Sequence, residues 1–362
     1  MKGCYITSTG SFLPGEPIDN DDVQSYLGTL DGEDDVRSKI LRMNGIKKRH
    51  YALDRDQKAT HDVYGLAAEA VARCLDGRDA ESDIGYLSAG STNTPLVGPG
   101  LASILHGVLG ARGAVPGPVE INSNSGICSS GAQAFINAYR AVRCGDHATA
   151  VCVGVEQPSA ILKSTVIRPP LDRDEFAEDV KKSKWFMSVF LRFMLSDGGG
   201  ALLLQDRPAS DGLSFKVNWT CSRSFAHETP LCMKLESGSQ LLSQDVEILS
   251  EYMKPCVRQT IQDAIDTTGD ELLDYRVALP HLSSFFFRRY LLQVLKDFTP
   301  PGGQIDHWTN LEWAGNTGAA SIYVMLDEYV KTHSLENGDK VLLFIPESGQ
   351  FNFVLISLTA VC

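Results

Sequence analysis

The segment "HATAVCVGVE", residues 147–156, constrains the fold more than any other part of the chain. From Ala148 to Val155 it carries no charge and no polar–apolar alternation, so a strand here must be covered on both faces. It is far too short to cross a bilayer. The cover has to be helical, and the neighbouring patterns supply helices. "THDVYGLAAEAVARCL" places Val63, Leu66, Ala67, Ala70, Val71 and Leu75 at helical spacing. "GAQAFINAYRAVRCGD" reads as a helix closed by Gly145. "LVGPGLASILHGVLG" reads as a glycine-interrupted helix, and "GCYITSTGSFLP", "DIGYLSAGSTN" and "VEINS" as strands. This alternation predicts an α/β protein with a mostly parallel, helix-covered sheet.

The rhythm returns in the second half. "EILSEYMKPCVRQTIQDAIDTTG" is a long helix, "DYRVALPHLSS" a strand entering a turn, and "SFFFRRYLLQVLKDF" a helix. "AGNTGAASIYVMLDEYVKTH" is a glycine turn followed by a helix, and "DKVLLFIPESGQFNFVLISLTA" a hairpin turning at Glu347 to Gly349. The element order predicts two related α/β halves, residues 1–207 and 208–362. Residues 160–195 stand apart as an insertion over the sheet end. Its large apolar side chains, Trp185, Phe186, Phe190, Phe193 and Met194, are too many for a solvent face and are expected to meet a dimer partner or line an acyl pocket.

With 362 residues, 43% hydrophobic and 22% charged, the chain has the composition of a soluble globular protein. A net charge of −12 argues against general nucleic-acid binding, although "RSKILRMNGIKKRH" is locally basic. No basic stretch leads into an apolar run at the N-terminus, so no signal peptide is expected and a cytoplasmic location is. The nine cysteines are irregularly spaced without a CxxC pair, so neither a disulfide framework nor a metal site is expected.

Cys128 is the exception among them. "INSNSGICSSGAQ" sets it between glycines in a turn between a strand and a helix. A thiol at a helix N-terminus is expected to have a lowered pKa, and the unpaired N–H groups there could hold an oxyanion. His281 follows the apolar strand "YRVALP", at the strand end where α/β folds place sites. Asn316 sits between Gly315 and Gly318; by itself it reads as a helix cap. Three small-residue turns with one cysteine, one histidine and one asparagine form a candidate catalytic set. Gly126, Gly315 and Gly349 are the expected turn or oxyanion glycines. Glu156 and Asp197 are candidate extra acids for the chemistry, although strand-end or turn roles account for them first.

"SGICSSGAQAFINA", "ALPH", "GNTGAAS", "VGVEQPS" and "SDGGGALLL" resemble the motifs of the thiolase-fold condensing enzymes, specifically the ketoacyl synthase III group. The resemblance covers nearly the whole chain. It implies two five-stranded α/β halves in αβαβα layers, a homodimer, acyl transfer to Cys128, and His281 with Asn316 stabilising an enolate or thioester oxyanion. It implies no resident cofactor or metal: acyl groups arrive on the phosphopantetheine of an acyl carrier protein or coenzyme A. The chain departs from the group in two places. Leu282, Ser283 and Ser284 stand where Gln-Ala-Asn is usual, a replacement expected to widen the pocket for a second acyl chain. Lys39 and Met43 stand where many members have a Trp and an Arg against the adenine. Lys39, Arg42, Lys47, Lys48 and Arg49 would instead suit an acidic carrier protein or a phosphate.

"YITSTGSFLPGEPIDNDDVQSYLG", "NGIKKRHYALD" and "PHLSSFFFRR" resemble a branch that makes cyclohexanediones in bacterial dialkylresorcinol and stilbene pathways. That implies a Claisen condensation between an α,β-unsaturated acyl group on Cys128 and a β-ketoacyl thioester, then a Michael-type ring closure. The alternatives are a decarboxylative synthase III using a malonyl thioester, a papain-like cysteine protease, and an inactive partner subunit. The first shares the fold. The second conflicts with the buried strands, and the third with retention of all three polar residues.

Overall fold

A computed structural model describes residues 1–77, 84–167 and 184–362. Up to residue 205 the strands are β1 (Tyr5–Phe12), β2 (Ile18–Asp19), β3 (Lys48–Arg49), β4 (Tyr86–Ser91), β5 (Glu120–Ser125), β6 (Thr149–Glu156) and β7 (Gly198–Gln205). The helices there are α1 (Val23–Leu27), α2 (Glu33–Asn44), α3 (Val63–Leu75), α4 (Leu101–Ala111), α5 (Ser130–Cys144), α6 (Ser159–Leu162) and α7 (Lys184–Arg192). Then follow β8 (Ser214–Ser224), β9 (Met233–Leu235), β10 (Leu242–Gln244), β11 (Val277–Pro280), β12 (Lys340–Pro346) and β13 (Asn352–Val361). Their helices are α8 (Val246–Thr268), α9 (Arg288–Asp297), α10 (Leu311–Ala314) and α11 (Ser321–Thr332).

Strand β6 is buried along its whole length, as its composition requires. Val151, Val153 and Val155 pack in one cluster with α3 and α4, while Ala150 and Cys152 pack on the other face with Phe135 of α5 and Tyr323 of α11. Strand β12 repeats the pattern. Val341, Leu343 and Ile345 join the α5–α11 cluster; Leu342 and Phe344 join a third cluster with Val257 of α8 and Leu291 of α9. Each fully buried valine contributes about 1.5–3 kcal/mol relative to exposure. The layers therefore run α3/α4, sheet, α5/α11, sheet, α8/α9, which is the αβαβα arrangement expected.

The main sheet has the order β11-β12-β13-β8-β1-β7-β6-β4-β5. Only Tyr5–Lys216 and Ile6–Phe215 join β1 to β8, so five strands on one side meet four on the other. A fifth place beside β11 is taken by a single parallel bridge between Ala278 and His307. The sheet is not mostly parallel. Among the described residues the parallel pairs are β4–β5, β4–β6 and β11–β12, and the others are antiparallel. The β12–β13 hairpin has to be antiparallel. The partners of β1, β7 and β8 lie far away in sequence, so local pattern carries no record of their direction.

Two glycines bring the halves together. A Cβ on Gly131, at the start of α5, would lie 2.0 Å from the carbonyl oxygen of Ala319; one on Gly154 in β6 would lie 2.3 Å from it. The Tyr323 hydroxyl donates to the Gly131 carbonyl at 2.7 Å and fastens the same contact. The turn before α11 is thereby pressed against the Cys128 turn.

The apolar side chains of the 160–195 segment belong to the chain's own core. Trp185, Phe186, Phe190, Phe193 and Met194 are all buried in the cluster that includes Val36 and Ile40 of α2. Arg192 and Glu33 form an ion pair with no exposure at either side chain, and Arg192 also donates to the carbonyls of Leu27 and Leu162. This corrects the expectation of a dimer contact for these side chains. The Pro-Pro and most of the charged run, residues 168–183, lie outside the described residues.

Candidate active site

Cys128 lies in the turn between β5 and α5, as expected, and is half-buried. The expected thiolate is not what the surroundings favour. The Glu347 carboxylate, from the β12–β13 turn, accepts from Ser129 N–H at 2.9 Å and from Ser129 Oγ at 2.5 Å. The start of α5 is thus already capped by an internal anion, and its positive end serves Glu347 rather than the sulfur. Burial, then Glu347, then Glu156 push the Cys128 thiol well above its ordinary value. These surroundings favour the neutral thiol.

His281 follows β11, where its backbone N–H donates to the Phe344 carbonyl at 2.8 Å. Its side chain is buried, and among the described residues neither ring nitrogen has a hydrogen-bond partner. Burial lowers its pKa to about 4, so the ring is neutral, with one N–H and one lone pair uncommitted. Asn316 is held by its backbone: its N–H donates to Met194 O at 3.2 Å, and its carbonyl accepts from Ser196 N–H at 2.8 Å. Gly315 makes this possible, with φ +74° and a would-be Cβ 2.7 Å from Ser196 Cβ. The Asn316 Oδ1 accepts from Gly318 N–H at 2.9 Å. That bond is the local turn role the sequence allowed, and it also fixes the amide so that its NH2 is the end left to donate.

Two cavities converge on Cys128. The first, of about 640 Å³, runs between α8 and α9 and is lined by Cys128, His281, Met253, Val257, Leu291 and Val294 among others. The second, of about 600 Å³, is lined by Cys128, Asn316, Glu156, Thr92, Leu195 and Leu235 among others. Cys128, Gln244, Ser283 and Ser348 line both, and Gln244 Nε2 donates to Ser348 Oγ at 2.8 Å at the junction.

Ser283 lines both cavities. Phe190 and Phe193 do not: both are core residues outside these linings, and Met194 and Leu195, which follow them, line the second cavity. Gly126 is not in the left-handed region, and a Cβ there would come no nearer than 3.5 Å to another atom, so the turn does not demand glycine. The Gly349 carbonyl accepts from the N–H groups of Cys232 and Met233 and so docks the β9–β10 hairpin beside the site.

The basic residues divide. Lys39 is partly buried, its ammonium 5.7 Å from the centre of the Phe186 ring, and Arg42 is exposed. Lys47 pairs with Glu312, and Lys48 lies 3.9 Å from Asp19. Arg49 is corrected: it is fully buried and donates to Asn20 Oδ1 and Phe193 O, so it presents nothing to a carrier. None of the five lines either cavity.

Some site residues were not singled out from sequence. Gln244, Met233, Leu235 and Leu242 come from the β9–β10 hairpin. The alternation Met233-Lys234-Leu235, before a turn containing Gly238, is its signal. Leu291 and Val294, three apart on α9, form a legible apolar face, but nothing local says that it faces a cavity.

Residues 283–346 match the family model described as 3-oxoacyl-[acyl-carrier-protein (ACP)] synthase III C terminal. Over 345 residues, 93% of both chains, the protein is 25% identical to the beta-ketoacyl-[acyl-carrier-protein] synthase III of Xanthomonas oryzae. It is 25% identical over 347 residues, 95% of both chains, to that of Neisseria meningitidis. Among solved structures it is similar to the tetronic acid condensing enzyme AbyA1, with TM-score 0.77, 18% identity, and coverage of 98% of this chain and 99% of that one. The 3-oxoacyl-[acyl-carrier-protein] synthase III of Aquifex aeolicus gives TM-score 0.73 at 18% identity, covering 99% of this chain and 100% of that one. Layering and the solved structures give the chain the thiolase fold, and along nearly its full length it is similar to ketoacyl synthase III proteins.

Proposed function

We propose that the protein is a condensing enzyme of the ketoacyl synthase III type, joining an acyl group carried on Cys128 to a second thioester through a carbon–carbon bond. The observation that carries this reading is the meeting of two cavities, each lined largely by apolar side chains, at one cysteine, with His281 on one and Asn316 on the other. In the first step the Cys128 sulfur attacks a thioester carbonyl and the carrier thiol leaves with a proton. Neutral His281 offers a lone pair for that proton, or an N–H for the carbonyl oxygen. In the second step the carbanion of the other substrate attacks the acyl carbonyl, and the bond to Cys128 breaks. Asn316 donates to the enolate oxygen as charge develops there.

The finer reading is an α,β-unsaturated acyl group on Cys128 and a β-ketoacyl thioester as donor. A Claisen step followed by a Michael-type closure gives a 1,3-cyclohexanedione, the precursor of a dialkylresorcinol or stilbene, with no loss of carbon dioxide during condensation. A methylene between two carbonyls is acidic enough to need none. Ser283 on the wall shared by the cavities supports room for two chains. The reading includes a homodimer: β5 is a sheet edge with Ile121 exposed. It also includes an acidic carrier protein or coenzyme A as the acyl source, met by Lys39, Arg42, Lys47 and Lys48, and work in the cytoplasm. No helix among the described residues is long and apolar enough to cross a membrane.

A decarboxylative synthase is the second reading, favoured by the matched C-terminal segment and the names of the full-length relatives. Intact-protein mass spectrometry with a panel of acyl thioesters, followed by addition of donor, separates the two. A cyclohexanedione from a β-ketoacyl donor is the expected product. A β-ketoacyl product with carbon dioxide from a malonyl thioester would decide for the second, and no mass gain at Cys128 with any thioester for an inactive subunit.

A further inference from the structure

Removing a proton from carbon needs a base, and three carboxylates are buried near the nucleophile. Asp197 is fully committed: Oδ2 accepts from Ala52 N–H and Ser159 Oγ, and Oδ1 from Ser159 N–H. Glu347 caps α5, and neither of these two acids lines a cavity at Cys128. Glu156 differs on both counts. It lines the second cavity together with Cys128 and Asn316. Its bonds, from Thr92 N–H at 2.9 Å, Thr92 Oγ1 at 2.6 Å and Ala319 N–H at 3.4 Å, all fall on Oε1. Among the described residues Oε2 accepts none. One oxygen is therefore anchored by three donors, which leaves the other uncommitted on a residue that lines the cavity.

We propose that the Glu156 carboxylate is the catalytic base that takes the C2 proton of the β-ketoacyl donor, a role that rests on the condensing reading above. Oε2 accepts the proton while the C–H electron pair becomes the enolate, whose oxygen receives the Asn316 N–H. The carbanion attacks the acyl carbonyl, the carbon–sulfur bond breaks, and its electron pair leaves on Cys128. The proton then passes from Glu156 to that sulfur, restoring carboxylate and neutral thiol with no external co-reactant. Burial raises Glu156 to about 7, against about 4 for His281, so the carboxylate is the better proton acceptor of the two. The high proton affinity of Cys128 completes the return.

Glu156→Gln keeps an Oε1 for the three donors and removes only the base. Wild type and variant would be compared by intact mass for acylation, then by single-turnover condensation with a β-ketoacyl thioester, with donor affinity measured separately. The expected result is acylation within about twofold of wild type, unchanged donor affinity, and condensation slower by about a hundredfold or more. Glu156→Asp, which retains a carboxylate, should recover part of the loss. Condensation by Glu156→Gln at the wild-type rate would overturn the proposal. So would lost acylation or folding, which would make Glu156 a builder of the thiol site. A wild-type protein that condenses only malonyl thioesters, with carbon dioxide released, would overturn the reading itself and with it the need for a base.

Discussion

The two cavities share a cysteine but differ in their walls. The one between α8 and α9 is lined mainly by aliphatic and aromatic side chains, with neutral His281, Lys254 and Gln244 among its polar residues. The one under the β9–β10 hairpin places Glu156, Thr92 and Asn316 beside its apolar residues. An apolar wall can hold a chain but cannot answer developing charge; a carboxylate and an amide can. Under the proposed function, the first cavity would store one acyl chain and the second would carry the proton and enolate chemistry. The surroundings also explain the thiol. Burial of the sulfur and the carboxylates of Glu347 and Glu156 both favour its protonated form.

The largest expected effect breaks both sides at once. Cys128→Ala should abolish acylation by every thioester while leaving the fold intact, because the half-buried thiol anchors no element; intact mass and a melting curve check this. Filling one cavity should then separate the two. Met253→Trp narrows the first and Leu235→Trp the second, and each should lower condensation by tenfold or so for long chains of one substrate only. If each variant lowers tolerance for both substrates equally, the cavities do not act separately. A smaller effect reads the thiol itself. With its pKa raised, Cys128 has less thiolate at pH 8 than a free cysteine. Labelling by iodoacetamide, followed at the Cys128 peptide, should be slower by at least about tenfold and still rising above pH 9. A plateau near pH 7 would show instead a thiolate held by α5. The smallest effect concerns the seam between the halves. Tyr323→Phe removes the bond to Gly131 and should destabilise by about 1 kcal/mol with little change in acylation, measured by denaturant unfolding.

Much of this organisation is legible in the sequence because it is local. The uncharged run of β6 needs helices on both faces, and Gly145 closes α5 with φ +88°. The Cys128, His281 and Asn316 turns announce themselves as small residues at element ends. What cannot be read is what arrives from elsewhere. Nothing near Cys128 tells that Glu347, 218 residues away from Ser129, will take the helix start. Nothing near Arg49 says that Asn20 and the Phe193 carbonyl will close over it. Phe190 and Phe193 look like pocket residues because they are large and apolar, and the same property places them in the core. Glu156 reads as a strand-end acid, which it is; its second oxygen becomes meaningful only when the turn before α11 folds against it.

The central claim is that the two cavities hold different substrates at the same time, on either side of Cys128. A crystal structure of the protein with Cys128 acylated by a long-chain thioester, soaked with a non-reacting β-ketoacyl thioester analogue, tests it directly. The acyl chain is expected between α8 and α9, and the analogue beside Glu156 and Asn316 with its methylene toward Oε2. Both molecules following one cavity, or the analogue turned away from Glu156, would contradict it.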